Sequence, residues 1–160
     1  MTETLPILEF SHSEHVALIG AIVEDFAPRF APGSVPIYID ERHSELGPHD
    51  LALLANFGVD IDSHSKMPDV VLHYVEKNWL LLVESVTGHG LADDNRHAEL
   101  AKLFAGSTAG LVFVTAFPSR AVMVDFPGEI AWETVAWFAN EPAHLIHYNS
   151  SGLLGPYVKR

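Results

Sequence analysis

Two short apolar segments joined by a polar turn constrain the fold of this chain more than any other feature. The segments cover 67–74 and 79–86, and the polar residues between them are 76–78. Apolar runs of this length around a short polar break are typical of a β-hairpin. Each run contains one acid, Asp69 in the first and Glu84 in the second. An acid inside an apolar strand needs a chemical reason to be there.

The position of the turn determines which residues of this hairpin face each other. A reversal centred between Glu76 and Lys77 places Asp69 opposite Glu84. The Cβ atoms of such a pair lie ~5 Å apart, and two carboxylates repel at that distance unless a proton or a cation separates them. Magnesium is the simplest explanation, since one or two carboxylates, waters and phosphate oxygens hold it. The hairpin therefore predicts a metal site suited to phosphodiester hydrolysis.

The composition limits the class of protein. The 160 residues are 48% hydrophobic, which predicts one compact domain over 1–160. The sequence contains no cysteine, so thiolate metal sites, disulfides and cysteine nucleophiles are excluded. Because no apolar run reaches ~18 residues and the first residues lack a basic flank, we expect a cytoplasmic protein with no membrane partner.

The net charge is unusual for a protein that binds nucleic acid. Nine Lys and Arg against 21 Asp and Glu give a formal charge of −12. A DNA-binding protein usually presents a basic surface. Either the few basic residues lie together on one face, or the DNA affinity belongs to a region outside this chain.

The apolar periodicity elsewhere predicts an α/β fold. Predicted helices cover 13–30, 50–57, 93–104 and a short stretch within 120–125. Predicted strands outside the hairpin cover 35–40, 110–116, 133–139 and 143–148, and 59–62 is predicted to be extended. Around the hairpin, the order is helix, three strands, helix and strand.

The residues around the two acids resemble those of a nuclease family. Pro68-Asp69 followed by Glu84 matches the first two elements of the PD-(D/E)xK motif, on the strands where that motif lies. The wider similarity runs through 66–71, 81–90, 96–100, 105–118, 130–134 and 144–148. Over 16–158, the chain resembles the catalytic domain of the BsuBI/PstI family of type II restriction endonucleases.

This resemblance implies a fold, an activity and partners. The fold would be a restriction-endonuclease-like αβββαβ core, with helices flanking a mixed central sheet. The activity would be magnesium-dependent, sequence-specific hydrolysis of double-stranded DNA, at CTGCAG for the members that name the family. A palindromic target also implies a homodimer, because a twofold pair presents the same surface to both half-sites. We expect the family's N-terminal DNA-binding region to be absent from 1–160.

The resemblance also assigns metal ligands. Asp69 and Glu84 would hold one Mg²⁺ together with a backbone carbonyl near Ser85. Enzymes with this motif often draw another acid from the first helix, and Glu14 or Glu24 would serve, with Glu14 nearer the helix start. The alternative for both acids is an ordinary solvated position on the helix surface.

One position departs from the motif. A lysine is expected two residues after the second acid, and this chain has Val86 there. Arg96, one helical turn before Leu100 on the apolar face of the next helix, can point toward the carboxylates and take over the catalytic role of that lysine. Lys102 and Lys66 are alternative sources of the positive charge.

Three alternatives remain open from the sequence. His89, between two glycines, is either catalytic or an ordinary turn residue. The two acids form a metal site unless a different register separates them, leaving Asp69 as a loop residue after Pro68 and Glu84 paired with His73 or Arg96. The third alternative concerns the function. The chain is a nuclease, an inactive nuclease-fold domain that binds DNA or protein, or a metal-dependent hydrolase, and the negative charge would suit a hydrolase of small substrates.

Overall fold

A six-stranded mixed sheet forms the centre of the molecule. The computed structural model describes residues 4–40, 46–87, 94–126 and 130–148, with side chains from Ser13 onward in the first helix and from Asn95 onward in the fourth. The strands are β1 (Val35–Ile39), β2 (Val70–Tyr74), β3 (Trp79–Ser85), β4 (Gly110–Phe117), β5 (Thr134–Phe138) and β6 (Leu145–Tyr148). They lie in the sheet in chain order. The pairs β3–β4 and β4–β5 are parallel and the other three are antiparallel.

The helices lie between these strands or before them. They are α1 (Thr4–Ala21), α2 (Ala27–Phe30), α3 (Pro48–Ala55), α4 (Asp94–Leu103) and α5 (Arg120–Met123), and a π turn (Ile22–Phe26) joins α1 to α2. The described ranges contain no helix of the length and apolar character needed to span a bilayer. The predicted order of helix, three strands, helix and strand is confirmed. It corresponds to α1, β1, β2, β3, α4 and β4, with α3 inserted between β1 and β2.

The predicted hairpin is confirmed with its register. Val70 pairs with Val83 and Tyr74 with Trp79, and Asp69 and Glu84 are the next residues outward from this pairing, as predicted. The ring of His73 contacts the side-chain oxygen of Asn78 at 3.0 Å, so the alternative in which His73 pairs with Glu84 is wrong.

Helices cover both faces of the sheet. Side chains of β3 alternate between the faces, so Leu81 and Val83 pack toward α1, the π turn and α2. Leu80 and Leu82 pack toward α3 and α4 on the other face. Each fully buried Leu or Val contributes about 1.5–3 kcal/mol relative to an exposed position. A smaller cluster beneath α5 contains Val86.

Some predicted boundaries differ from those observed. The first helix begins at Thr4 rather than near Ser13. Pro6 is compatible with this start, because it lies in the first turn, where a backbone N–H is not needed. The predicted extended segment 59–62 is irregular. Asp62 accepts a hydrogen bond from the backbone N–H of His64 at 2.8 Å, and such a side-chain turn competes with strand formation. The first hairpin strand begins at Val70 rather than at 67.

The π turn has an identifiable cause. Pro28 lies at the start of α2, has no backbone N–H, and its ring would clash with the carbonyl of Glu24 four residues earlier in an α-helix. The backbone therefore widens over Ile22–Phe26 before the helix resumes. The continuous helical segment ends at Phe30, as predicted.

Candidate active site

Three acids lie next to one another at one end of β1, β2 and β3. The backbone N–H of Asp40, just after β1, donates to the carbonyl of Asp69 at 2.8 Å, and the hairpin register places Asp69 opposite Glu84. Glu84 is in turn aligned with Thr115 of β4. The three carboxylate residues line a cavity of about 380 Å³ together with Arg96, Tyr38 and the segment 63–67.

Asp69 is oriented by Ser85. The backbone N–H of Ser85 donates to Oδ2 of Asp69 at 2.8 Å, and its hydroxyl donates to the same oxygen at 2.7 Å. Ser85 is buried, so these bonds form in a region of low dielectric constant, where they are stronger than in water. The N–H and hydroxyl of Ser85 therefore face Asp69.

Glu84 is paired with Arg96 of α4. Nη2 of Arg96 donates to Oε1 of Glu84 at 3.0 Å, and about four-fifths of each side chain is buried. The guanidinium also donates to the carbonyl oxygens of Lys66 at 3.2 Å and Met67 at 3.0 Å. A planar group with five N–H donors can make these bonds together, which a lysine ammonium could not do in the same geometry.

The electrostatics of the cavity favour a bound cation. Burial raises the pKa of Glu84 from 4.5 to about 7; Arg96 opposes that rise, and the charges of Asp69 and Asp40 add to it. The pKa of Tyr38 is raised to about 12, by burial first and then by Asp40 and other acids. Arg96 therefore does not offset the combined effect of burial and the two neighbouring acids on Glu84.

The cavity offers two opposed carboxylates to a cation. Within the described ranges, no group of three or more His, Cys, Asp or Glu side chains is arranged to hold an ion. Magnesium usually retains several waters and needs only one or two carboxylates with substrate phosphate. Asp69 and Glu84 on one cavity supply those two carboxylates.

The remaining predicted residues are not all at this cavity. Glu14 is exposed on α1 and lines a different cavity, with Thr87 and Asn140. Glu24 also lies elsewhere, in a cavity beside Val23 of the π turn. The structure therefore does not bring either helix acid to the carboxylates.

The candidates for positive charge are also separated. Lys66 lines the carboxylate cavity, whereas Lys102 is exposed at the end of α4. Val86 is fully buried beneath α5, so the motif position has no positively charged side chain. His89 lies outside the described residues.

Two residues at the site were missed by the sequence analysis. Asp40 follows β1 directly, and a prediction of β1 pairing with the hairpin would have placed it beside Asp69. The other is His15, whose Nδ1 lies 3.2 Å from the hydroxyl oxygen of Ser85. No sequence spacing connects His15 with Ser85, since they are 70 positions apart.

The mixed sheet carries opposed carboxylates at the end of its hairpin, and α1 and α4 lie on its opposite faces. This arrangement defines a restriction-endonuclease-like domain. The family model of the BsuBI/PstI restriction endonuclease domain matches residues 3–151. The chain belongs to this family.

Individual relatives agree with that assignment. The chain is 56% identical to the type II restriction enzyme BsuBI of Bacillus subtilis over 144 residues, covering 90% of this chain and 46% of that protein. It is 32% identical to the type II restriction enzyme AplI of Arthrospira platensis, covering 86% of this chain and 44% of that protein. The SdaI restriction endonuclease structure superposes with a TM-score of 0.81 at 43% identity, covering 89% of this chain and 45% of that one. The chain thus spans under half the length of these relatives.

Proposed function

We propose that this chain is the cleaving domain of a type II restriction endonuclease and hydrolyses double-stranded DNA at a specific sequence with Mg²⁺. The observation that carries the proposal is the pair Asp69 and Glu84, which line one cavity together with Arg96. Membership of the BsuBI/PstI family supports it, and CTGCAG is the target to test first.

Each residue of the pair has a distinct environment and role. Asp69, oriented by two bonds to one of its oxygens, presents the rest of its carboxylate for a cation. Glu84, whose ionised form is disfavoured by burial, provides the second carboxylate, and the carbonyl of Ser85 is the third protein ligand that we propose. When bound, Mg²⁺ would neutralise charge on the scissile phosphate and make water more acidic.

Arg96 replaces the lysine of the motif. Its guanidinium is held at the cavity by two carbonyl oxygens as well as by Glu84. A donor already oriented in this way stabilises the negative charge that develops on the phosphate oxygens without rearrangement during the reaction. A palindromic target would be cut by two copies of the chain related by a twofold axis, one on each strand.

An inactive binding domain is the second candidate. The burial of Val86 at the motif position and the charge of −12 favour it. It predicts binding without cleavage, so one experiment separates the two functions.

Plasmid cleavage tests the proposal. The chain is incubated with plasmids that contain or lack CTGCAG, with Mg²⁺ or with a chelator, alongside Asp69→Ala and Asp60→Ala. Asp60 is an exposed acid outside the cavity, so it is the matched control. We expect discrete Mg²⁺-dependent fragments from the wild type and Asp60→Ala and none from Asp69→Ala. Cleavage that persists in a folded Asp69→Ala protein, or no cleavage by the wild type, would contradict the proposal.

A further inference from the structure

A hydrogen-bonded chain connects α1 to the carboxylate cavity. Nδ1 of His15 lies 3.2 Å from the hydroxyl oxygen of Ser85, and that oxygen lies 2.7 Å from Oδ2 of Asp69. His15 is half-buried and Ser85 is buried. The contact reaches β3 from the α1 face, opposite the face on which Arg96 meets Glu84.

The direction of the hydrogen bonds follows from the number of hydrogens available. An ionised Asp69 can only accept, and the Ser85 hydroxyl has one hydrogen to give. That hydrogen is used on Asp69, so the hydroxyl oxygen must accept from His15. The Nδ1 atom of His15 therefore carries a hydrogen.

We propose that His15 is a positioning residue of the site. Its Nδ1–H fixes the rotation of the Ser85 hydroxyl, and the hydroxyl holds Oδ2 of Asp69 toward β3. The other oxygen of Asp69 is thereby directed to the cavity. The inference rests on the proposed function in one respect, namely that Asp69 binds the cation. Outer residues of this kind commonly set the affinity of a metal site by holding its ligands in place.

Two substitutions separate the hydrogen bond from the packing of His15. Asn in place of His15 keeps an N–H near the position of Nδ1, whereas Leu has a similar size and no donor. Mg²⁺ binding is measured by calorimetry in the absence of DNA for His15→Asn, His15→Leu, Asp69→Ala and the wild type. We expect His15→Leu to weaken Mg²⁺ binding about tenfold, His15→Asn to retain most of the affinity, and Asp69→Ala to abolish binding.

A double-mutant cycle tests whether His15 acts through Ser85. In a Ser85→Ala background, His15→Leu should cause no further loss of Mg²⁺ affinity, because the hydroxyl that it orients is gone. An independent loss in that background would overturn the inference. Equal effects of His15→Leu and His15→Asn in folded proteins would overturn it as well.

NMR provides a readout that depends on neither metal binding nor cleavage. Long-range ¹H–¹⁵N correlation spectra of the metal-free protein report which ring nitrogen of His15 carries hydrogen. We expect hydrogen on Nδ1, and a bare Nδ1 would overturn the inference. If Asp69→Ala leaves Mg²⁺ affinity unchanged, the proposed function fails, and the orienting role of His15 is then decided by the NMR result.

Discussion

Glu84 is subject to two opposing effects, one that requires its ionised form and one that disfavours it. In the proposed metal site it must be ionised, yet burial and two neighbouring acids raise its pKa to about 7 despite Arg96. A bound cation would remove this conflict, because it adds positive charge at the position where the ionised form is disfavoured.

The raised pKa of Glu84 predicts how stability depends on pH. Between 4.5 and about 7, the folded state binds more protons than the unfolded state, so the contribution of Glu84 to stability falls as pH rises through this window. Over the full window, the loss amounts to about 3 kcal/mol. We expect metal-free wild type to lose stability relative to Glu84→Gln between pH 4.5 and 8 in urea denaturation. A difference that does not change with pH would contradict the raised pKa.

Arg96 should be needed for both stability and cleavage. Arg96→Met removes the partner of a buried carboxylate, and we expect a loss of about 1–3 kcal/mol at pH 8. The loss should be smaller at pH 5, where protonated Glu84 no longer needs a charged partner. Lys102→Met on the exposed side of the same helix is the control and should be neutral. If Arg96→Met cleaves DNA like the wild type, Arg96 does not replace the motif lysine.

The elements differ in how well the sequence predicts them. The hairpin of β2 and β3 was predicted with its register because a short turn determines which residues pair. Asn78, with φ of 55°, provides the left-handed residue at the end of that turn. The predicted start of the first helix at 13 was wrong, because the observed helix α1 already begins at Thr4.

The site was predictable only where its residues are close in sequence. Asp69 and Glu84 belong to one hairpin, and Arg96 is on the next helix, so local patterns bring them together. Asp40 and His15 arrive through pairing and packing between distant elements, which no local pattern encodes. The metal-binding and catalytic roles of the predicted residues remain predictions.

At the scale of elements, two glycines set the contact between the ends of α3 and α4. A Cβ added at Gly106 would lie 2.4 Å from the carbonyl oxygen of Gly58, and one at Gly58 would lie 2.3 Å from that of Gly106. Both contacts are with backbone atoms, so neither side can yield by a side-chain rotation. The loops after the two helices therefore approach as closely as glycine allows.

This contact predicts opposite effects of two alanine substitutions. Gly106→Ala should destabilise the protein by about 1–3 kcal/mol, because the backbone must move to admit the methyl group. Gly20→Ala, in α1 with nothing within 4 Å of the added Cβ, should stabilise it by about 0.5–1 kcal/mol. Thermal and urea denaturation measure both, and a neutral Gly106→Ala would show that the two loops are not in close contact.

At the scale of the whole molecule, the charge of −12 and the three acids at the cavity should oppose the binding of DNA when no divalent cation is present. We expect Ca²⁺, which takes the same oxygen ligands as Mg²⁺, to tighten binding of a CTGCAG duplex about tenfold, equivalent to about 1.4 kcal/mol. Fluorescence anisotropy at constant ionic strength measures this effect.

The control for the DNA-binding measurement is Asp69→Ala. It removes one repelling charge and one metal ligand, so its affinity for DNA should depend less on Ca²⁺. A Ca²⁺ effect of the same size in Asp69→Ala would place the cation somewhere other than the carboxylate cavity.

The two carboxylates are held from opposite sides of the sheet, Asp69 by β3 and α1 and Glu84 by α4. A newly synthesised chain that has formed only its hairpin has both acids and Ser85, but neither His15 nor Arg96 is yet in place. Competence to cut would then appear late, when both layers of helices are in place. Under the proposed function, an incompletely folded copy of the domain would therefore be unable to damage DNA.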